Sequence, residues 1–175
     1  MRKSVFDLPV EDVIMMGRAN YIDIFGSPNE NDIKIVDEVM TRLHINNLQG
    51  NKYSDLSGGE QQLVMIARAI VQQTQFIILD EPESNLDYKN RKKVMDVIKE
   101  LAESGIGIIA ISHIPEMAIY WNAKVFMIGR ERRYVYGTVD EVFKEDILSE
   151  IYDVGISIAA VKGFNGNEKK VLFLN

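Results

Sequence analysis

The 175-residue sequence contains no cysteine. Disulfides, thiolate metal sites and a cysteine nucleophile are therefore excluded. Histidine is nearly absent as well: His44 and His113 are the only two, too few for a multi-histidine zinc centre. Positive charge is not in excess. Lys and Arg number 20 against 26 Asp and Glu, giving a formal net charge of -6. That balance disfavours sequence-independent nucleic-acid binding, which needs a cationic face. No apolar run approaches the roughly 18 residues of a membrane span. The longest, Gly105 to Ile111, stops at Ser112 and His113. Near the N-terminus, Asp7, Pro9, Glu11 and Asp12 break any apolar stretch after Arg2 and Lys3, so a signal peptide is not expected and the default location is the cytosol. Repeats and low-complexity tracts are also lacking. What remains is ordinary globular composition, 46% hydrophobic and 26% charged, over a length that suits one domain with a real core.

The texture of the chain changes near Lys52. Before it, short helical patterns dominate. Pro9 to Met16 reads as a helix with proline in its first turn and Gly17 past its end. Ser27-Pro28-Asn29-Glu30 reads as a capping box opening a helix with Ile35, Val36, Val39, Met40 and Leu43 on one face. Gly50 to Ser54 reads as loop. After Lys52, helices and strands alternate, which predicts an α/β fold. Ser57-Gly58-Gly59-Glu60 caps a helix whose buried stripe is Leu63, Ile66, Ala67, Ile70 and Val71. Phe76–Leu79 and Ile106–Ile111 are continuous apolar runs of the buried parallel type, separated by a helix with Val94, Val97, Ile98 and Leu101 inward. A short helix after Pro115, strands at Lys124–Ile128 and Arg133–Tyr136 around a turn at Gly129–Arg132, and a third capping box at Thr138–Glu141 follow. Ile156–Val161 and Lys170–Leu174 flank the turn-forming residues Gly163 to Asn167 as a terminal hairpin.

Two constellations carry chemistry. The strand Phe76–Leu79 runs straight into Asp80 and Glu81. In a parallel α/β sheet, ligands bind beyond the carboxyl ends of the strands. One carboxylate there can hold a hard cation through water, and its neighbour can take a proton from an attacking water. Read alone, the same pair could simply end a strand in solvent. Ser57 to Glu60 is sharper. Ser57 and Glu60 can cap the helix, but capping leaves Gly58 and Gly59 unexplained, since glycine costs about 1 kcal/mol against alanine within a helix. Two glycines at a helix start allow close approach of another group, and the N-terminal dipole favours an anion.

These motifs occur in order, joined by one helix, and are followed by Ser84-Asn85-Leu86-Asp87 and then by His113 after the next apolar strand. In that order they resemble the nucleotide-binding subunits of ABC transporters. Leu56 to Glu60 is similar to the signature motif, Phe76 to Glu81 to the Walker B strand, Ser84 to Asp87 to the D-loop, and His113 to the switch histidine. Val10 to Arg18 and the terminal hairpin resemble the importers of iron-siderophores, haem and cobalamin. The resemblance implies a P-loop NTPase core, with a helical subdomain over residues 1–73 and an α/β part with its hairpin over 74–175. It implies ATP and Mg²⁺ as cofactors, Asp80 in the metal shell, Glu81 as general base and His113 at the γ-phosphate. It further implies that Ser57, Gly58, Gly59 and Glu60 face the ATP of an opposite subunit, with Asp87 acting across a head-to-tail dimer. The partners implied are a second ATPase subunit and a transmembrane permease, which would hold the chain at the inner face of the membrane. Two local departures are Glu83, where threonine or serine is usual, and Ile114, where aspartate is common.

The largest departure is that these residues contain no G-x-x-x-x-G-K-[ST], the loop that cradles phosphates with backbone N–H groups and a lysine. The Q-loop has no counterpart either. In the family fold, the strand bearing that loop lies between those matching Ile106–Ile111 and Lys124–Ile128, which predicts a gap in the sheet. Fully burying one Val, Leu or Ile is worth about 1.5–3 kcal/mol. A few lost neighbours would therefore rival a whole domain's net stability of about 5–15 kcal/mol. The isolated chain is expected to be marginal, to aggregate, or to need another polypeptide. A cooperative thermal transition of a monomer at ordinary mesophilic temperature would contradict this. Three readings stay open: the C-terminal part of an importer ATPase, a split enzyme completed by another chain, or a non-enzymatic regulator docking on a complete ATPase. Long coiled coils and a fused membrane span, marks of other ABC proteins, are not seen. Arg91-Lys92-Lys93 reads as a solvated helix face, and Trp121 and the methionines as packing.

Overall fold

The computed structural model describes residues 8–23, 25–162 and 168–174. It divides into two compact units, Met1–Ser112 and His113–Asn175.

In the first unit, Val10–Met15 forms α1, and a 3₁₀ stretch over Met16–Tyr21 follows directly. Val10 and Ile14 are fully buried. The backbone can pass closely here because residue 17 is glycine: a Cβ on Gly17 would lie 2.2 Å from the carbonyl oxygen of Arg68. Glu30–Arg42 forms α2, and Ile35, Val36, Val39 and Met40 are its buried face, as its spacing predicts. Its cap differs from expectation. Asn29, rather than Ser27, accepts from the N–H groups of Asn31 and Asp32, at 2.9 and 3.1 Å, and Asp32 accepts from Asn29 N–H at 3.1 Å. Pro28 accordingly lies outside the helix.

The reason for the shift is tertiary. Asp32 is 1% exposed and pairs with the equally buried Arg18, whose Nε donates to Oδ1 at 3.0 Å. Arg18 also donates to the carbonyl of Val71 at 2.9 Å and to Gln73 Oε1 at 3.1 Å, and its guanidinium lies 3.8 Å from the Tyr21 ring centroid. The Asn29 amide and the Arg18 guanidinium together hold the Asp32 carboxyl below its ordinary value.

Gly58–Ile70 forms α3, with Leu63, Val64, Ile66 and Ala67 buried. Phe76–Asp80 forms β1, Tyr88–Glu103 forms α4 and Gly107–Ile111 forms β2. The helix α4 ends in a Schellman motif. Gly105, at φ +95°, donates to Ala102 at 3.0 Å, and Ile106 donates to Leu101 at 3.2 Å. Strands β1 and β2 pair in parallel from Phe76↔Gly107 to Asp80↔Ile111. Gly107 leaves room for its neighbour: a Cβ there would lie 2.3 Å from the Phe76 ring, which would have to turn away. The strands are not buried on both faces, contrary to expectation. Ile77 and Leu79 are covered, whereas Phe76, Ile78, Ile109 and Ile111 are between 54% and 69% exposed. The register places these four on one face, so the pair carries an open apolar surface.

In the second unit, Pro115–Trp121 forms α5, and the antiparallel strands β3 (Lys124–Ile128) and β4 (Tyr134–Thr138) flank a 3₁₀ turn. Thr138 then caps α6, Val139–Val142, in a box with Glu141, and Glu145–Tyr152 forms α7. Strands β5 (Ile156–Lys162) and β6 (Glu168–Leu174) form the expected antiparallel hairpin. The turn expected at Gly163 to Asn167 lies outside the described residues. Val139, Val142, Phe143, Leu148 and Ile156 make the buried cluster, with Val125, Met127, Val135, Ile158 and Leu172 packed against it. No helix among the described residues is long and apolar enough to cross a membrane.

Candidate functional site

The carboxyl end of β1 carries the first part of the site. Asp80 closes the strand and Glu81 follows it, both exposed. Glu81 lies in the left-handed region at φ +44°, uncommon for a residue with a side chain and a form of strain found at functional sites. Its N–H donates to the carbonyl of Ile111 at 2.9 Å, so the turn after β1 is fastened to the end of β2. Its own carbonyl accepts from Ser84 N–H at 3.0 Å and from the Ser84 hydroxyl at 3.1 Å. Pro82 is buried, and so is Glu83, at 0% exposure. The Ser112 hydroxyl donates to Glu83 Oε1, while Glu83 Oε2 has no hydrogen-bond partner among the described residues.

The start of α3 carries the second part. Ser57 and Glu60 form a complete capping box: Glu60 Oε2 accepts from Ser57 N–H at 2.9 Å and from the Ser57 hydroxyl at 2.6 Å. These two bonds, the hydroxyl's first, hold the Glu60 carboxyl below its ordinary value. The two glycines have different causes. Gly59 is buried, and a Cβ on it would lie 2.5 Å from both Cβ and Cγ of Asn90. It permits α3 and α4 to approach. Gly58 is exposed, and a Cβ there would meet nothing closer than Leu86 at 3.8 Å. Only Gly58 is left over for approach by another group. Asp87 caps α4, accepting from Asn90 N–H at 2.8 Å. Asn85 is left-handed at φ +58°.

Leu86 and Asn85 lie within 4 Å of where a Cβ on Gly58 would stand, and Asn90 closer still to one on Gly59, so Ser57–Glu60 and the segment 84–87 lie near one another at one end of α3 and α4. Through Ser84 that segment joins the Glu81 turn. Seven of the eight residues expected at the site thus belong to the first unit. The eighth, His113, is exposed and opens the second unit. Among the described residues, no three His, Asp or Glu side chains gather as a metal cage. Two exposed carboxylates of the Asp80–Glu81 kind suit Mg²⁺, which keeps several waters and takes one or two protein oxygens.

Sequence reasoning missed the burial of Glu83 and its bond to Ser112. A signal existed: a glutamate stands directly after Pro82 where a small hydroxyl residue was expected. It also missed Asn90 as the reason for Gly59, a contact between two helices that no local pattern encodes.

Comparison with known proteins places these features in context. The family model described as ABC transporter matches residues 4–84. An uncharacterised ABC transporter ATP-binding protein of Haemophilus influenzae is 33% identical over 148 residues, covering 85% of this chain and 56% of the relative. A probable iron chelatin transport ATP-binding protein of Helicobacter pylori is 31% identical, covering 85% of this chain and 58% of the relative. The chain spans about half the length of the curated relatives it matches. Among solved structures, a metal-chelate type ABC transporter in an inward-facing conformation superposes with a TM-score of 0.92 at 24% identity, covering 100% of this chain and 69% of the other. That likeness shows the fold; with the ABC transporter family match, the fold is that of an ABC ATPase, of the P-loop NTPase class. The CbiO1 chain of a CbiONQ complex from Clostridium perfringens gives 0.68 at 29% identity, over 82% of this chain and 56% of the other.

Proposed function

Since the chain belongs to the ABC transporter ATP-binding family, we propose that it supplies the signature motif, the metal-binding aspartate and the general base of an ATPase that drives solute import. The observation that carries this reading is the exposed Asp80–Glu81 pair at the carboxyl end of β1, with Glu81 held in a strained backbone conformation. A bound magnesium nucleotide supplies the phosphoanhydride and the charge neutralisation at its oxygens. The chain's own residues do the rest by positioning and electrostatics, as phosphoryl transfer requires. Asp80 presents an oxygen to the metal shell. Glu81 takes the proton of the attacking water. Ser57 and the N–H groups of Gly58 and Gly59 face the γ-phosphate of ATP held by an opposite subunit, with Glu60 capping the same helix start. Asp87 acts across that interface, and His113 contacts the γ-phosphate. In this reading residues 1–73 form the helical subdomain and 74–175 the α/β part.

The partners are a second ATPase subunit and a membrane permease, which keeps the chain at the cytoplasmic face. The relatives named for iron chelatin and hemin import support an iron-siderophore or haem cargo; cobalamin rests on the sequence resemblance alone. The phosphate-cradling loop is supplied from outside these 175 residues. The open apolar face of Phe76, Ile78, Ile109 and Ile111 favours the packing of a further segment or chain against the sheet over an isolated regulator. The test is ATP turnover by the assembled complex with Glu81→Gln. Removing a general base costs on the order of 10²–10⁴-fold in rate. Turnover unchanged by that substitution would refute the enzymatic reading and leave the regulator.

A further inference from the structure

We propose that Glu83 is a positioning residue for nucleotide hydrolysis: by holding Ser112 at the end of β2, it keeps the left-handed backbone of Glu81 in place. The inference rests on the role proposed for Glu81, and goes beyond it to a residue that touches no substrate. Its starting point is an imbalance. Glu83 is 0% exposed, and only one of its carboxylate oxygens finds a partner among the described residues. Burying a carboxylate costs several kcal/mol unless it is well paired. A small hydroxyl or an apolar side chain would fill this place more cheaply. Local rules are broken in this way where a protein is set up for function rather than stability.

What Glu83 does with its one bond is specific. Two bonds among those described fasten the turn after β1 to the end of β2. One is the backbone bond from Glu81 N–H to Ile111. The other, one residue further along β2 and two residues further along the turn, is the side-chain bond from Ser112 to Glu83. A residue at φ +44° persists only where its surroundings over-determine it. Two bonds at different positions along the turn restrict its rotation about the Glu81–Ile111 bond more than that bond alone. The second tie therefore steadies the backbone that carries the Glu81 side chain, and a misplacement of about 1 Å near reacting atoms can lower a rate about a hundredfold.

The test uses amide hydrogen exchange and turnover, both on the assembled ATPase. Ser112→Ala and Glu83→Met are expected to raise exchange of the Glu81 amide at least fivefold and leave the amides of α3 unchanged. Glu83→Gln, which keeps an oxygen for Ser112, is expected to restore protection. Glu83→Met is also expected to unfold at the same urea concentration as the parent or higher, because it removes a poorly paired buried carboxylate. In the assembled ATPase, Glu83→Met and Ser112→Ala are expected to lower kcat about ten- to a hundredfold with KM unchanged, and Glu83→Gln to stay near the parent. Unaltered exchange at Glu81, exchange raised evenly across the unit, or kcat unmoved in both variants would each overturn the proposal. Should Glu83→Met fail to fold, Ser112→Ala alone decides. Glu81→Gln serves as the control. If it leaves turnover intact, the role of Glu81 fails, while the exchange data still judge the tie.

Discussion

Replacing Gly58 and Gly59 one at a time by alanine separates two reasons for a glycine. Neither has a left-handed φ, so alanine is conformationally admissible at both. At Gly59 the new Cβ would sit 2.5 Å from Asn90 Cβ and Cγ. Cβ is fixed to the backbone of α4, so a rotamer change of Asn90 cannot relieve the contact, and the helices must separate. Overpacking of this kind costs about 1–3 kcal/mol. The helix-propensity gain from glycine to alanine returns at most about 1 kcal/mol. The expected net loss is about 1–2 kcal/mol, or about 2–8 °C at about 2–4 °C per kcal/mol for a chain of this size. At Gly58 the nearest atom is 3.8 Å away, an ordinary contact, so alanine there is expected to be neutral or to stabilise by up to about 1 kcal/mol. Urea unfolding followed by far-ultraviolet circular dichroism measures both. Equal effects at the two glycines would refute the reasoning. So would failure of Asn90→Gly, which removes the offending Cβ, to restore the Gly59→Ala variant.

Arg18→Met leaves the Asp32 carboxylate buried without its partner and is expected to destabilise the first unit by about 3–5 kcal/mol, measured by urea unfolding. Because the Asp32 carboxyl is depressed in the folded chain, its contribution is present above the ordinary aspartate value of about 3.9 and is lost as pH falls through the lower folded value. Stability of the parent should therefore fall with acid below pH 4 more steeply than that of the Asp32→Asn variant, and parallel slopes would count against the pairing. The combined substitution Ile78→Thr with Ile109→Thr falls on the open face of β1 and β2. It is expected to change unfolding free energy by about 0.5 kcal/mol or less per site while reducing self-association in light scattering, whereas a large loss of stability would mean that face is covered.

Much of the fold was legible because its signals are local. The boxes at Ser57–Glu60 and Thr138–Glu141 close over three residues, and the chain forms both as written. The α2 face, the two parallel strands and the Gly105 stop follow from spacing and from one glycine. The cap of α2 did not follow, because Asp32 is committed by Arg18, 14 positions away. The second tie at the site was not legible either, since Ser112 and Glu83 lie 29 positions apart. The motif residues were named from pattern. Their present occupation, with Ser57, Glu60 and Asp87 each engaged as a helix cap, is the part that physical reasoning on the residues alone could also reach.

The Arg18 cluster has a consequence for how the chain folds. Its bond to Val71 closes a loop of 53 residues, and the neighbouring bond from Tyr21 to Gln72 closes one of 51. The capping boxes ask for almost no loop closure, so α2 and α3 can form where they will end up before they meet. The assembly of the first unit then waits on distant encounters, among them the one in which the guanidinium beside Tyr21 must find the Asp32 carboxylate and the Val71 carbonyl together. Its rate is set by the slow search for such contacts rather than by the speed at which its helices wind.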